Sequence, residues 1–103
     1  MEWYPWYPID YEADTAHLTL EQDALYRRLI DWYMVHGRAL PRQSEALARI
    51  CRVDLEIWEL NEDALRPFFV PRDMSLLSAR CEHELEAQGK LRNKWASAKR
   101  SQR

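Results

Sequence analysis

Glycine and long apolar runs are both scarce in this chain of 103 residues. There are only two glycines, which excludes the glycine-rich loop that cradles a nucleotide phosphate. No stretch approaches the about 18 apolar residues that a transmembrane helix needs. The opening segment MEWYPWYPIDYEAD is acidic and interrupted by prolines, whereas a secretory signal starts with basic residues and an apolar run. We therefore expect a cytoplasmic protein without a membrane segment.

Cysteine and histidine are also few. Cys51 and Cys81 fall in separate predicted helices, and we favour two buried free thiols over a disulfide. His17, His36 and His83 are far apart in the sequence, and none stands at metal-ligand spacing from a cysteine or a carboxylate. The sequence therefore predicts no metal, no cofactor and no catalytic residue, and we expect that the protein is not an enzyme.

Charge is distributed unevenly along the chain. The segment KLRNKWASAKRSQR, residues 90–103, has six basic residues and no acidic one, and the preceding part has a net charge of −8. A contact with nucleic acid that depends on electrostatics would involve this tail or a local basic patch. Trp95 in the tail has two interpretations: it stacks on a base, or it packs against the body of the protein.

The strongest helix signal is TLEQDALYRRLIDWYMVHG. Thr19 and Gln22 have the spacing of a capping box, and Gly37 supplies the left-handed position that ends a helix. Its charged residues lie largely on the side of the helix away from the apolar face: Asp23, Arg27, Arg28 and Asp31. The apolar face at helical spacing consists of Leu25, Tyr26, Leu29, Ile30, Trp32 and Tyr33.

The remaining elements are shorter. The segment RALP predicts a small edge strand. Residues 43–51 predict a second helix with Leu47, Ala48 and Ile50 facing inward, and residues 55–66 predict a third helix. FFV and SLL around the turn-prone PRDM suggest a hairpin, and a last helix runs from about Arg80. Trp3, Tyr4, Trp6 and Tyr7 belong to a proline-rich extended arm, either packed on the body or exposed for a partner.

This order of elements predicts a mainly α fold with a small β-hairpin: a winged helix-turn-helix with an N-terminal extended arm and a C-terminal helix. Residues 1–88 would form one winged-helix-like domain, and 89–103 a basic tail that is helical or disordered. Within the helix-turn-helix, Ala48 allows close approach of two helices, Val53 fills the turn and Asp54 caps the third helix. Arg52 stands where glycine is common, since a left-handed backbone is easy for glycine. The third helix is anchored by Ile57 and Trp58.

DNA recognition by the third helix is disfavoured by its charge. Such a helix normally presents cationic or amide side chains to base edges, whereas this one has Arg66 as its lone cation. Its predicted exposed acids are Glu56, Glu59, Glu62 and Asp63. Arginines and lysines elsewhere are the DNA-contact candidates: Arg42, Arg49, Arg52, Arg72, Lys90, Arg92, Lys94, Lys99 and Arg100.

The stretch DTAHLTLEQDALYRRLIDWYMVHGRALP resembles the opening of the YdaU-like family of phage and prophage proteins. LARICRVDLEIW and LRPFF continue the resemblance, which covers roughly residues 7 to 88. The hairpin departs from it, with PRDM where that family often has Asp-Gly. The residues that match the opening motif are Asp14, Thr15, His17, Leu18, Thr19, Glu21, Ala24, Tyr26, Leu29, Gly37, Leu40 and Pro41.

The resemblance implies a winged helix similar to the N-terminal part of phage replication-initiation proteins, with no catalytic residue to transfer. Two functions remain open. In one, the chain binds DNA in replication initiation or regulation through its basic tail and turn arginines. In the other, it is a protein-interaction module whose acidic helix docks a host or phage replication protein, or a host defence protein that it inhibits. A homodimer is compatible with both.

Overall fold

The computed structural model describes residues 15–89. The predicted N-terminal arm and residues 90–103 of the predicted basic tail lie outside these residues. The elements in chain order are α1 (Leu20–His36), β1 (Leu40–Pro41), α2 (Ser44–Cys51), α3 (Leu55–Leu65), a 3-10 helix (Arg66–Phe68), β2 (Val70–Arg72) and β3 (Ser75–Leu77), followed by α4 over residues 79–89.

Helix α1 begins and ends as the sequence predicts. The Thr19 hydroxyl accepts a hydrogen bond from the Gln22 amide at 3.2 Å, and the Gln22 side chain accepts one from the Thr19 amide at 3.1 Å. This reciprocal pair satisfies two of the helix's otherwise unpartnered first amides. Gly37 ends the helix with a φ of 65°, a conformation that residues with a β-carbon adopt only at a cost. Both signals are therefore confirmed.

The core lies where α1, α2, α3 and the sheet meet. Trp58 is its largest fully buried side chain, and the Tyr33 hydroxyl accepts a hydrogen bond from the Ser78 amide at 3.3 Å, which ties α1 to the start of α4. Burial of this many large side chains is the dominant favourable term for so small a domain. The buried apolar residues are Leu25, Tyr26, Leu29, Ile30, Tyr33, Leu40, Leu47, Ala48, Cys51, Trp58, Leu65, Phe69, Leu76 and Cys81.

The turn between α2 and α3 has the predicted helix-turn-helix features with one correction. Arg52 takes the left-handed conformation, φ 60°, and the Val53 amide donates to the Ala48 carbonyl at 3.1 Å. Asp54 occupies the N-cap position of α3, but its side chain makes no capping hydrogen bond. The predicted position of the N-cap is therefore confirmed, whereas the predicted capping hydrogen bond from the Asp54 side chain is not formed.

The three strands form one antiparallel sheet in the order β1-β3-β2. Leu40 pairs with Leu76, and Arg72 pairs with Ser75, so Asp73 and Met74 alone form the hairpin turn. The first strand of the predicted hairpin, FFV, is displaced: Phe68 ends the 3-10 helix, Phe69 is buried, and β2 begins only at Val70. The mainly helical fold with a small hairpin is confirmed, and its element order is compatible with a winged helix-turn-helix. Among residues 15–89, no helix combines the length and apolar character needed to cross a membrane.

Both cysteines are buried free thiols, as predicted. Burial raises the pKa of Cys51 to about 12, although the charges of Arg28 and Arg52 act against it, and burial raises the pKa of Cys81 to about 11. The thiolate is the reactive form of cysteine, so neither side chain is prepared to react in the folded protein.

We expect native protein at pH 8 to react with dithionitrobenzoate only at the rate of unfolding, and protein in strong denaturant to release two thionitrobenzoate ions per chain at once. Absorbance at the thionitrobenzoate band measures both. A rapid reaction of either thiol in the native protein would contradict the burial seen here.

Candidate nucleic-acid interface

An open cavity of about 700 Å³ lies against the turn between α2 and α3. We call it the turn groove; it is lined by Arg49, Arg52, Val53, Asp54 and Ile57. Val53 and Ile57 are half-buried and give the groove an apolar surface, whereas the arginines are exposed. Ile57 was expected to anchor α3 in the core beside Trp58; only Trp58 is fully buried. The groove therefore combines apolar contact area with two cations.

The two arginines of the turn groove differ in their surroundings. The Arg49 side chain makes no hydrogen bond or ion pair with any described residue. Arg52 lies close enough to Asp31 to act on its titration: burial raises the pKa of Asp31, and the Arg52 charge offsets part of that rise. Arg49 is thus the freer cation, and Arg52 is partly balanced by a half-buried carboxyl group.

Arg28 contributes to the same region from α1. Its Nη1 donates to the Cys51 carbonyl at 2.5 Å, which satisfies one of the unpartnered carbonyls at the end of α2. The sequence placed Arg28 on the charged outer side of α1; instead its guanidinium is used inside the structure to hold α2 and the turn. A cation at the C-terminal end of a helix is also favoured by the helix dipole.

The N-terminal end of α3 opens on the turn groove, since both Asp54 and Ile57 line it. Because the Asp54 side chain makes no cap hydrogen bond, the first amides of α3 remain available, and the positive end of the helix dipole favours an anion there. The Asp54 carboxylate itself opposes an incoming anion. The arrangement suits phosphate oxygens held by guanidinium groups and amides, with Asp54 moderating their affinity.

The other predicted DNA-contact residues are placed differently. Arg42 is exposed, and its Nη1 donates to the Asp73 carbonyl at 3.0 Å while its amide donates to the Met74 carbonyl at 3.0 Å. Arg72, in β2, is exposed and forms no hydrogen bond or ion pair with a described residue. The five tail candidates, Lys90, Arg92, Lys94, Lys99 and Arg100, lie outside the described residues.

The acidic surface of α3 is smaller than predicted. Glu56, Glu59 and Asp63 are exposed, but the Glu62 side chain is only 18% exposed and its Oε1 accepts from Ser44 Oγ at 2.8 Å and from Arg66 Nε at 2.6 Å. Glu62 is therefore a structural acceptor, and Arg66 is its partner.

Two features at the surface were missed by sequence reasoning. Leu60 is 78% exposed on α3, although an apolar residue flanked by acids could have indicated this. At the end of α1, Trp32 stacks on His36 with ring centroids 4.2 Å apart, and the Arg38 guanidinium lies 5.4 Å from the Trp32 ring centroid. The spacing of four residues between Trp32 and His36 puts them on one helix face. Within residues 15–89, no three metal-ligating side chains come together.

Comparison with known proteins places the chain in a family. Residues 2–86 match the family described as "Protein of unknown function (DUF1376)". The chain belongs to this family. It is similar to the uncharacterized protein YdaU of Escherichia coli (strain K12), with 34% identity over 96 residues, or 92% of this chain and 33% of the relative. The chain of this DUF1376 member thus spans about a third of that relative's length. No solved structure matches the chain. The YdaU-like resemblance is confirmed at the level of the family.

Glu62 gives a pH-dependent test of the structure around the site. Burial by itself would raise the pKa of Glu62, but hydrogen bonds from Ser44 and Arg66 and the Arg66 charge outweigh it, so the pKa is lowered. The Trp58 indole acts in the same direction, although its Nε1 reaches hydrogen-bonding geometry with no described group. A carboxyl group whose pKa is lower in the folded than in the unfolded state stabilises the fold at pH values above the unfolded-state pKa. This contribution disappears as the pH falls through the folded-state pKa.

We expect Glu62→Gln to lower the free energy of unfolding by about 1–2 kcal/mol at pH 7, and by less at a pH below the lowered folded-state pKa of Glu62, where the wild-type carboxyl group is protonated. Urea unfolding at both pH values measures this. Glu59→Gln is the matched control on the exposed side of the same helix, with a change within about 0.5 kcal/mol. If Glu62→Gln lowered the free energy of unfolding equally at both pH values, the hydrogen bonds of a charged Glu62 carboxylate with Ser44 and Arg66 would be contradicted.

Proposed function

We propose that this DUF1376 member binds DNA through the phosphate backbone, in phage or prophage replication or its regulation within a bacterial cell. One observation carries the proposal: the turn groove unites Arg49 and Arg52 with the N-terminal end of α3. Guanidinium groups and helix N-terminal amides are both common phosphate ligands. The element order, compatible with a winged helix-turn-helix, supports the same function.

The backbone at Arg52 gives further support. A left-handed conformation costs a residue with a β-carbon about 1–2 kcal/mol, whereas glycine adopts it freely. Arg52 occupies this position with a φ of 60°. Conformational strain of this kind is often concentrated at functional sites. An arginine in place of the less costly glycine supports a role for its side chain, and phosphate contact is the role that its charge and exposure fit.

The mode of binding we propose is largely independent of DNA sequence. Glu56, Glu59 and Asp63 are exposed on α3, and carboxylates facing a duplex would be repelled by its phosphates. The turn groove and Arg72 would instead follow the backbone, with the basic tail adding phosphate contacts. The YdaU-like resemblance implies that this chain is a winged helix similar to those of phage replication-initiation proteins.

We expect Arg49→Ala to weaken binding of a fluorescently labelled DNA duplex and to reduce the slope of log K against log salt concentration by about 0.9, the amount for one lost phosphate contact. Arg52→Gly removes the second cation and should have the same effect on binding. It should also raise the free energy of unfolding by about 0.5–1 kcal/mol, because the left-handed strain that is relieved exceeds the extra backbone entropy that glycine loses on folding. Fluorescence anisotropy over a salt series and urea unfolding measure the two effects.

Two further variants make this test specific. Asp54→Asn keeps a good N-cap residue and removes the negative charge of the groove, so it should tighten DNA binding. Arg38→Ala removes the same charge as Arg49→Ala outside the groove and should leave the salt slope unchanged. Wild-type affinity and slope in Arg49→Ala and Arg52→Gly would remove the turn groove from the DNA-binding surface.

A protein-interaction module is the second candidate, favoured by the exposure of Leu60 among acids on α3. Leu60 is 78% exposed, and Glu56, Glu59 and Asp63 around it are exposed too. An apolar centre with a charged rim is a common anatomy of protein interfaces. A basic partner, such as a replication or defence protein of the host, would fit this surface, and a second copy of the chain remains compatible with it.

We expect, for this second function, that Leu60→Ser abolishes capture of the partner from host lysate and that Glu59→Lys weakens it, while both variants stay folded because neither side chain is buried. Mass spectrometry of the retained proteins compares them with the wild type. Leu20→Ser is the control, since Leu20 is 88% exposed on α1. Retention of the same proteins by all variants would exclude the α3 surface.

A further inference from the structure

A connected set of polar contacts runs from α2 through α3 to the hairpin. Ser44 Oγ and Arg66 Nε both donate to Glu62 Oε1, at 2.8 and 2.6 Å. Arg66 Nη2 donates to the Arg42 carbonyl at 3.3 Å, and Arg42 Nη1 donates to the Asp73 carbonyl at 3.0 Å. Glu62, Arg66 and Arg42 each take part in two or more of these contacts, so the set joins the first turn of α2 to the hairpin turn.

The hairpin needs such a connection because its own pairing is short. β1 has only two residues, Leu40 and Pro41, and proline supplies no amide to the ladder. The Arg42 amide continues the pairing by donating to the Met74 carbonyl. Asp73 is left-handed, with a φ of 54°, and its carbonyl is the one that the Arg42 guanidinium holds. The carbonyls of both turn residues, Asp73 and Met74, thus accept hydrogen bonds from Arg42.

We infer that Arg42 is a positioning residue, which holds the hairpin turn against the helix-turn-helix and acts on DNA only through the placement of Arg72. Arg42 therefore leaves the set of direct phosphate contacts to which its charge and position in the sequence assigned it. Arg72, at the end of β2 next to the turn, keeps a free guanidinium. The DNA part of this inference rests on the proposed function, and the positioning of the hairpin does not.

The first test measures the hairpin in the free protein. Amide hydrogen exchange of Val70 and residues 72–77, followed by NMR, should accelerate about fivefold or more in Arg42→Ala, and also in Glu62→Gln, which disturbs the same contacts from α3. Arg72→Ala is the control at the hairpin itself and should leave the exchange rates unchanged. Wild-type exchange in Arg42→Ala would overturn the positioning role, whether or not the protein binds DNA.

The second test is a double-mutant cycle on DNA binding. If Arg42 acts through Arg72, then Arg42→Ala combined with Arg72→Ala should bind the duplex no more weakly than Arg72→Ala alone, with the same salt slope. A further loss of about 0.9 in slope in the double variant would show that Arg42 contacts phosphate directly, and would overturn the inference. Absence of duplex binding by the wild type would instead reject the proposed function, while the exchange test still decides the positioning of the hairpin.

Discussion

The reversal of the chain between α2 and α3 is the constraint on which the other features depend. It is completed in the three residues 52–54, with Arg52 in the left-handed conformation and the Val53 amide bonded to Ala48. So short a turn brings the two helices together at a small side chain, Ala48, and lets α3 insert Trp58 into the core. Arg28 of α1 secures the end of α2 by donating to the Cys51 carbonyl.

The same reversal creates the candidate interface. Residues from the last turn of α2, the turn and the first turn of α3 surround one groove, so two cations and the positive end of a helix dipole are brought to one place. The outward side of α3 has the opposite charge, with three exposed carboxylates and an exposed Leu60. The domain thus presents two chemically different surfaces, and the two proposed functions correspond to them.

Polar side chains in this small domain are used mainly to connect elements. Glu62 joins α2 to α3 through Ser44 and Arg66, and Arg42 joins the end of β1 to the hairpin turn. The contacts of Glu62 are partly shielded from water, whereas the Arg42 contact is exposed. In both, a hydrogen bond that involves a charged group is stronger than a neutral one. A sheet of two- and three-residue strands has little pairing of its own, so its position depends on these side chains.

The sequence by itself determined the helices, and for α1 also both ends and the buried face, because the capping box of Thr19 and Gln22, Gly37 and the 3.6-residue period act locally. It also indicated the turn at Arg52 and the basic candidates, yet it could not separate free arginines from engaged ones. Arg49 and Arg72 remain free whereas Arg28 and Arg42 bind carbonyls 23 and 31 residues away, and Glu62 is shielded by Ser44, 18 residues away. Only the tertiary structure decided these partners, because a charged side chain binds the acceptor that the fold brings within hydrogen-bonding distance. Residues so far apart in the sequence form no local pattern that would indicate the contact.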